Sequence, residues 1–190
     1  MTTYIVSGYM RSGTSMMMHA LEAGGLEAAF ADREYLNRRH GDIHYKPNPD
    51  GFYELTRREY SQPGFPRMYD GKLVKVLMGG IPRIAAGDHK VVFMRRDYEE
   101  IRQSYEAFFD SKMQLSEDAY YQRVEDTLGI LRVRGDVQLD VFNYRAVVEV
   151  PLLTFAQLNY NGWPIDGVKA ACVIDEKQCR FRREELAIGA

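Results

Sequence analysis

The chain predicts an α/β fold of three layers, with a central parallel sheet of about four to five strands flanked by helices. Three observations predict it. Short apolar runs rich in Val at residues 73–78 and 90–94 suit strands buried on both faces, residues 3–7 read as a further buried strand and 144–150 as a last one. Segments whose apolar residues recur every three or four positions separate those runs and suit amphipathic helices. Strands alternating with helices give a parallel sheet, and ligands then bind beyond the carboxyl ends of its strands.

Each element follows from local sequence. Residues 3–7 form the first strand, and Gly8-Tyr9-Met10-Arg11-Ser12-Gly13-Thr14-Ser15 turns through two glycines into a helix at 14–24. Its stripe is Met17, Ala20, Leu21 and Gly24, and Gly24-Gly25 ends it. Residues 27–71 turn polar and aromatic, with Pro47, Pro49, Gly51, Pro63, Gly64 and Pro66 scattered among them. So long an irregular stretch reads as a substrate-side excursion with short helical pieces. Strands at 73–78 and 90–94 flank Gly79-Gly80-Ile81-Pro82-Arg83-Ile84, which reads as a turn with room for one helical turn. Asp97 caps a helix with the stripe Tyr98, Ile101, Tyr105, Phe108 and Phe109, and Ser116 opens another with Ala119, Tyr120, Val124, Leu128 and Leu131 inward. A last strand at 144–150, a helix at 151–159 and a short helix capped by Asp166 complete the chain.

Length and composition limit what this scaffold does. The 190 residues, 45% of them apolar, suit a single domain spanning 1–190. With 25 Lys+Arg against 27 Asp+Glu there is no global field for nucleic acid or an anionic membrane, so any anion site is local. Cys172 and Cys179 lack metal-site spacing, which suits free thiols in a reducing, cytoplasmic setting. No leader or membrane span is read. His40 and His44 are four apart, but Gly41 between them and the lack of a third nearby ligand make them loop histidines, with no metal expected.

The loop at 8–15 carries the chemistry. A strand turning through glycines into a helix presents backbone N–H groups and a positive helix end to an anion. The spacing fits GxxxxG[x][ST] and gives the fold a P-loop-like character, yet Thr14 stands where an NTP-hydrolysing loop carries Lys. An Arg at a strand's carboxyl end and a Ser two turns into the next helix, as in Arg96 and Ser104, can converge on one phosphate as a charged fork and a hydroxyl donor; the other reading of the pair is a surface ion pair of Arg96 with Asp97 or Glu100 and a solvated helical Ser.

These residues resemble the sulfotransferase family that uses 3′-phosphoadenosine 5′-phosphosulfate (PAPS), and its bacterial-type members in particular. Arg11-Ser12-Gly13-Thr14-Ser15 is similar to the family's 5′-phosphosulfate loop, with Met10 in place of the usual proline. Arg96-Asp97-Tyr98 followed by Ser104 is similar to its 3′-phosphate element, with Tyr98 for proline. Asn48-Pro49-Asp50-Gly51-Phe52-Tyr53-Glu54 and the strand lysine Lys75 extend the resemblance in the family's order.

The resemblance implies transfer of a sulfuryl group from PAPS to a hydroxyl or amine of a small-molecule, carbohydrate or other acceptor, leaving 3′-phosphoadenosine 5′-phosphate (PAP). It implies cofactor contacts from Arg11, Ser12, Gly13, Thr14, Ser15, Arg96 and Ser104, and in-line displacement without metal. The backbone N–H groups of residues 12–15, the Thr14 and Ser15 hydroxyls, and the Arg11 and Lys75 cations would stabilise the leaving phosphate. For the proton of the acceptor, Glu54, Glu34 and His44 are candidates, in that order. Arg180, Arg182 and Arg183 read as a charged terminal face, and Tyr60, Tyr69, Tyr120 and Tyr121 as packing residues. Two other readings stay open: a small P-loop nucleotide or metabolite kinase, and a sulfotransferase-fold protein that binds nucleotide without transferring anything. Acceptor and oligomeric state are not specified by these residues.

Overall fold

The computed structural model describes residues 2–29 and 54–175. Five strands, β1 (Thr2–Gly8), β2 (Glu27–Ala28), β3 (Lys72–Lys75), β4 (Asp88–Arg95) and β5 (Val137–Asn143), form one sheet in the order β2-β3-β1-β4-β5. Every pairing is parallel. The carboxyl ends of the strands therefore share one edge, and the order reverses beside β1, the place where such sheets open a crevice.

Helices cover both faces. They are α1 (Thr14–Ala23), α2 (Arg57–Tyr60), α3 (Phe65–Met68), α4 (Tyr98–Phe109), α5 (Glu117–Val133), α6 (Tyr144–Glu149), α7 (Pro151–Tyr160) and α8 (Gly167–Cys172), with a 3-10 segment at Met78–Arg83. Side chains alternate across the strands, so Val6, Leu73, Val92 and Met94 meet Met17 and Leu21 of α1, Val147 of α6, Phe155 of α7 and Trp163 on one face. Ile5, Val74, Val91 and Phe93 meet Phe65, Ile81, Ile101, Tyr120 and Leu128 on the other. Each such side chain, fully buried, contributes about 1.5–3 kcal/mol. This is the three-layer α/β architecture the sequence predicts.

Three helix starts fall where their capping residues place them. Asp97 accepts from the Glu99 and Glu100 N–H groups, Ser116 from Ala119, and Asp166 from Val168 and Lys169. Phe109, expected in the stripe of α4, is instead exposed at the helix end.

The expected strand at 144–150 is a helix, α6, and the strand lies just before it. Asn143 Oδ1 accepts the Arg145 N–H at 3.0 Å, which starts a helix whose buried residues Tyr144, Val147 and Val148 are spaced by three and four. The true strand, β5, ends the sheet and leaves Gln138, Val141 and Asn143 exposed, so its sequence lacks the continuous apolar run of a central strand. The expected strand at 73–78 also stops early. β3 ends at Lys75, and Gly79, Gly80 and Pro82 lie in the 3-10 segment. Of the excursion at 27–71, the described parts are β2, which the sequence did not announce, and the short helices α2 and α3.

Candidate functional site

The loop between β1 and α1 is built on unusual backbone angles. Gly13, the N-cap of α1, has φ +93°, and Arg11 takes φ +70°, a left-handed conformation that L side chains rarely adopt. A Cβ on Gly13 would lie 2.3 Å from Cδ2 of Tyr144, and one on Gly8 2.6 Å from the Met94 carbonyl oxygen. Both glycines let neighbouring groups close onto the loop.

Helix α1 begins without a side-chain cap and without an acidic residue in its first turn. Its first N–H groups have no intrahelical acceptor, as at every helix start. The Ser12 N–H is not among the donors left for a ligand, contrary to the expectation for residues 12–15, because it closes the loop's own turn onto the Tyr9 carbonyl at 3.1 Å. Ser12 is fully buried and its Oγ has no hydrogen-bond partner among the described residues. Thr14 is buried and Ser15 half-buried.

The two motifs that lie far apart in sequence meet here. Arg11 Nε donates to Ser104 Oγ at 3.0 Å across 93 positions, and its guanidinium lies 4.8 Å from the Phe108 ring centre. Arg96 Nη1 donates to the Arg11 carbonyl at 3.0 Å, and its Nε donates to Glu100 Oε2 at 2.9 Å. The Arg96 guanidinium stands 4.1 Å over the Tyr144 ring, and the Tyr120 hydroxyl donates to the Arg96 carbonyl at 2.8 Å. Arg145 Nη2 reaches the other oxygen of Glu100 at 3.2 Å. Arg96 and Glu100 are both buried, so the pair is held inside the protein rather than at its surface.

Lys75 closes the other side of the loop. At the end of β3 its Nζ lies 3.1 Å from Ser15 Oγ and 3.2 Å from Glu54 Oε1, and only 4% of its side chain is exposed. Burial pushes its pKa below the ordinary lysine value, the Glu54 carboxylate opposes that shift, and the nearby Arg11 charge adds to it. Glu54 is placed by the Leu55 N–H, which donates to the Lys75 carbonyl at 3.2 Å. Thr56 and Glu59 then form a capping box that starts α2.

Beside the loop a groove of about 550 Å³ opens at the same edge of the sheet. Its walls are the loop at Tyr9 and Met10, the segment Leu77 to Pro82 beyond β3, and Arg123, Thr127 and Ile130 of α5. Helix α5 borders both this groove, through Arg123 and Thr127, and Arg96, through the Tyr120 hydroxyl.

Glu34, His44, the rest of the Asn48 to Tyr53 motif and the arginines at 180, 182 and 183 lie outside the described residues. Among the described residues no group of three His, Cys, Asp or Glu side chains is arranged to hold a metal ion, and no helix is long and apolar enough to cross a membrane. The ion pair of Arg96 with Glu100 is present, but buried rather than at the surface, and the sequence reading missed Tyr144 and Arg145. The helical spacing of Tyr144, Val147 and Val148 after a capping Asn143 was the signal that would have found the last two.

No family model matches the chain, and no curated protein matches it. A crystal structure of an unliganded sugar kinase from a Janibacter species is similar at 12% identity, covering 87% of this chain and 96% of its own, with a TM-score of 0.43. A likeness that loose carries no argument about function.

Proposed function

We propose that the protein transfers a sulfuryl group from PAPS to a hydroxyl or amine of an acceptor, by in-line displacement without a metal ion. The observation that carries the reading is the meeting of Arg11 with Ser104 at 3.0 Å, beside Arg96. In this reading the loop at 8–15 is one anion element, and Arg96 with Ser104 is a second. A nucleotide phosphorylated at both 3′ and 5′ positions needs two.

The chain suits such a donor on three counts. The start of α1 lacks a side-chain cap, the glycines at 8 and 13 keep the loop backbone bare, and the buried Ser12 hydroxyl has no hydrogen-bond partner among the described residues. When bound, the donor supplies the activated sulfuryl group and a phosphate leaving group. Arg11, Lys75, the Thr14 and Ser15 hydroxyls and the first N–H groups of α1 are the donors aimed at the charge that grows on that phosphate. As the acceptor oxygen bonds sulfur and the bond from sulfur to the phosphate oxygen breaks, the electron pair stays on the phosphate. The acceptor's proton goes to Glu54, the candidate base that sits beside Lys75. Glu34 and His44 remain the other two candidates. The groove beside Tyr9 and Met10 offers the acceptor a place at the loop.

Phosphoryl transfer is the weaker reading on physical grounds. An NTP-using loop brings the hydroxyl at the Ser15 position to Mg²⁺, whereas here the Lys75 ammonium stands against that oxygen. A divalent cation at the same place would repel it. The test is transfer of labelled sulfuryl from PAPS to an acceptor panel of phenols, aliphatic alcohols, amines and sugars, with Lys75→Met alongside. Transfer insensitive to chelator and slowed about 10²–10³-fold by the variant supports the reading. Mg²⁺-dependent phosphoryl transfer from ATP contradicts it. Tight PAP binding with no transfer to any acceptor would leave the non-catalytic alternative standing.

A further inference from the structure

The buried carboxylate of Glu100 sits in an awkward place for a protein that binds a doubly phosphorylated nucleotide. It lies one helical turn before Ser104 on the same face of α4, so it borders the second anion element directly. Two guanidinium groups hold it, Arg96 on Oε2 at 2.9 Å and Arg145 on Oε1 at 3.2 Å. The two are not equivalent. Arg96 is only 7% exposed, gives a second hydrogen bond to the Arg11 carbonyl and is stacked on Tyr144, whereas the Arg145 side chain is 39% exposed and, among the described residues, is held through its side chain by Glu100.

Arg145 is also attached to the loop through the chain. It follows Tyr144, whose ring fills the space a Gly13 side chain would need and supports Arg96 from below. It stands at the start of α6, just past the carboxyl end of β5, on the same edge of the sheet as Gly8, Lys75 and Arg96.

We propose that Arg145 is a further binding residue for the 3′-phosphate, held by Glu100 in the free protein and transferred to the ligand when that phosphate arrives. Arg96 stays on Glu100 and keeps its grip on the Arg11 carbonyl, so the loop conformation is preserved while Arg145 changes partner. No bond is made or broken in this exchange; one ion pair replaces another. A phosphate offers Arg145 more negative charge than a carboxylate does, and a planar guanidinium matches its oxygens in a bidentate fork. The assignment rests on the PAPS reading and adds a residue that the motif pattern alone does not name.

Calorimetric titration of PAP and AMP into the full-length protein, its Arg145→Ala variant and its Glu100→Gln variant tests the exchange. Arg145→Ala should weaken PAP by about tenfold or more, the worth of one hydrogen bond to a charged group, and leave AMP nearly unchanged. Glu100→Gln, which removes the competing anion, should tighten PAP relative to AMP. A PAP preference that survives Arg145→Ala intact overturns this proposal and leaves the PAPS reading in place, as does an equal loss for both nucleotides. Wild-type protein that binds PAP no better than AMP overturns the PAPS reading itself. Thermal melts of each variant separate a folding defect from a binding one, and Arg145→Ala, at a half-exposed site, carries the test if Glu100→Gln does not fold.

Discussion

Two strand-to-helix junctions leave the same edge of the sheet from neighbouring strands and end differently. β4 enters α4 through a short tight turn, where Asp97 accepts the Glu99 N–H at 2.9 Å and the Glu100 N–H at 3.4 Å, with both acids in the first helical turn. β1 enters α1 through a glycine-rich loop with a left-handed N-cap, no capping side chain and no acid in the first turn. A helix start satisfied by its own carboxylate is closed to anions, and one without such a group is open to them. The difference is between a junction closed by its own acid and one whose helix start is left open to an anion. Arg96 joins the two, since it leaves the β4 junction and grips the Arg11 carbonyl in the β1 loop.

Arg96→Ala cuts that link and should have the largest effect on stability. It strips Glu100, a buried carboxylate, of its better-buried partner and frees the Arg11 backbone, so a loss of about 3–5 kcal/mol is expected in urea unfolding. An unfolding midpoint close to wild type would show that Arg145 alone suffices for Glu100 and that the junctions are independent. Next comes Gly13→Ala. Left-handed backbone strain and collision with Tyr144 should together remove about 2–4 kcal/mol and abolish PAP binding. Retained affinity would mean that the loop tolerates another shape. Asp97→Ala should remove about 1 kcal/mol, the worth of a lost N-cap, while the ratio of PAP to AMP affinity stays put. A changed ratio would blur the division between the two junctions.

The smallest effect lies at the amino end of β4, away from both junctions. His89 is fully buried, its Nε2 donates to the Ala85 carbonyl at 2.9 Å, and its Nδ1 has no partner among the described residues. Burial, and secondarily the Arg134 charge, push its pKa below 6.5 against the pull of the Ala85 carbonyl, Asp136 and Asp88. Below pH 6.5 the unfolded chain takes up a proton that the folded histidine declines. Stability from this group is therefore complete above pH 6.5 and falls as pH drops below it. The urea midpoint should be lower at pH 5.5 than at pH 7.5, and His89→Asn should reduce that difference. An unchanged difference would assign the acid sensitivity to other groups.

Much of this was legible in the chain because local chemistry and tertiary structure agree there. Central strands announce themselves through runs such as Val91, Val92 and Phe93, and Asp97, Ser116 and Asp166 mark helix starts by the donors they satisfy. The edge strand β5 was not legible, since half its residues face outward and Tyr144 to Val148 looked more like a strand than it did. That exchange hid Tyr144 and Arg145, which reach the site only because α6 starts at the sheet edge. Convergence was expected of Arg96 and Ser104, whereas the residue that meets Ser104 is Arg11, and Arg96 turns to Glu100 and the Arg11 carbonyl. The carboxylate of Glu100 between two arginines was not anticipated, because a Glu one turn from a capping Asp reads as an ordinary surface acid until its burial is known.

The central claim is that the β1–α1 junction and the Arg96–Ser104 element form one site for a nucleotide carrying phosphates at both ends of its ribose. Competitive titration of PAP, AMP and ATP into the wild-type protein, each with Mg²⁺ and with chelator, addresses it most directly. PAP should bind at least about tenfold more tightly than AMP or ATP, as expected for one added charge-assisted contact, with no dependence on Mg²⁺. Equal affinity for PAP and AMP, or tighter binding of Mg²⁺-ATP, would contradict it.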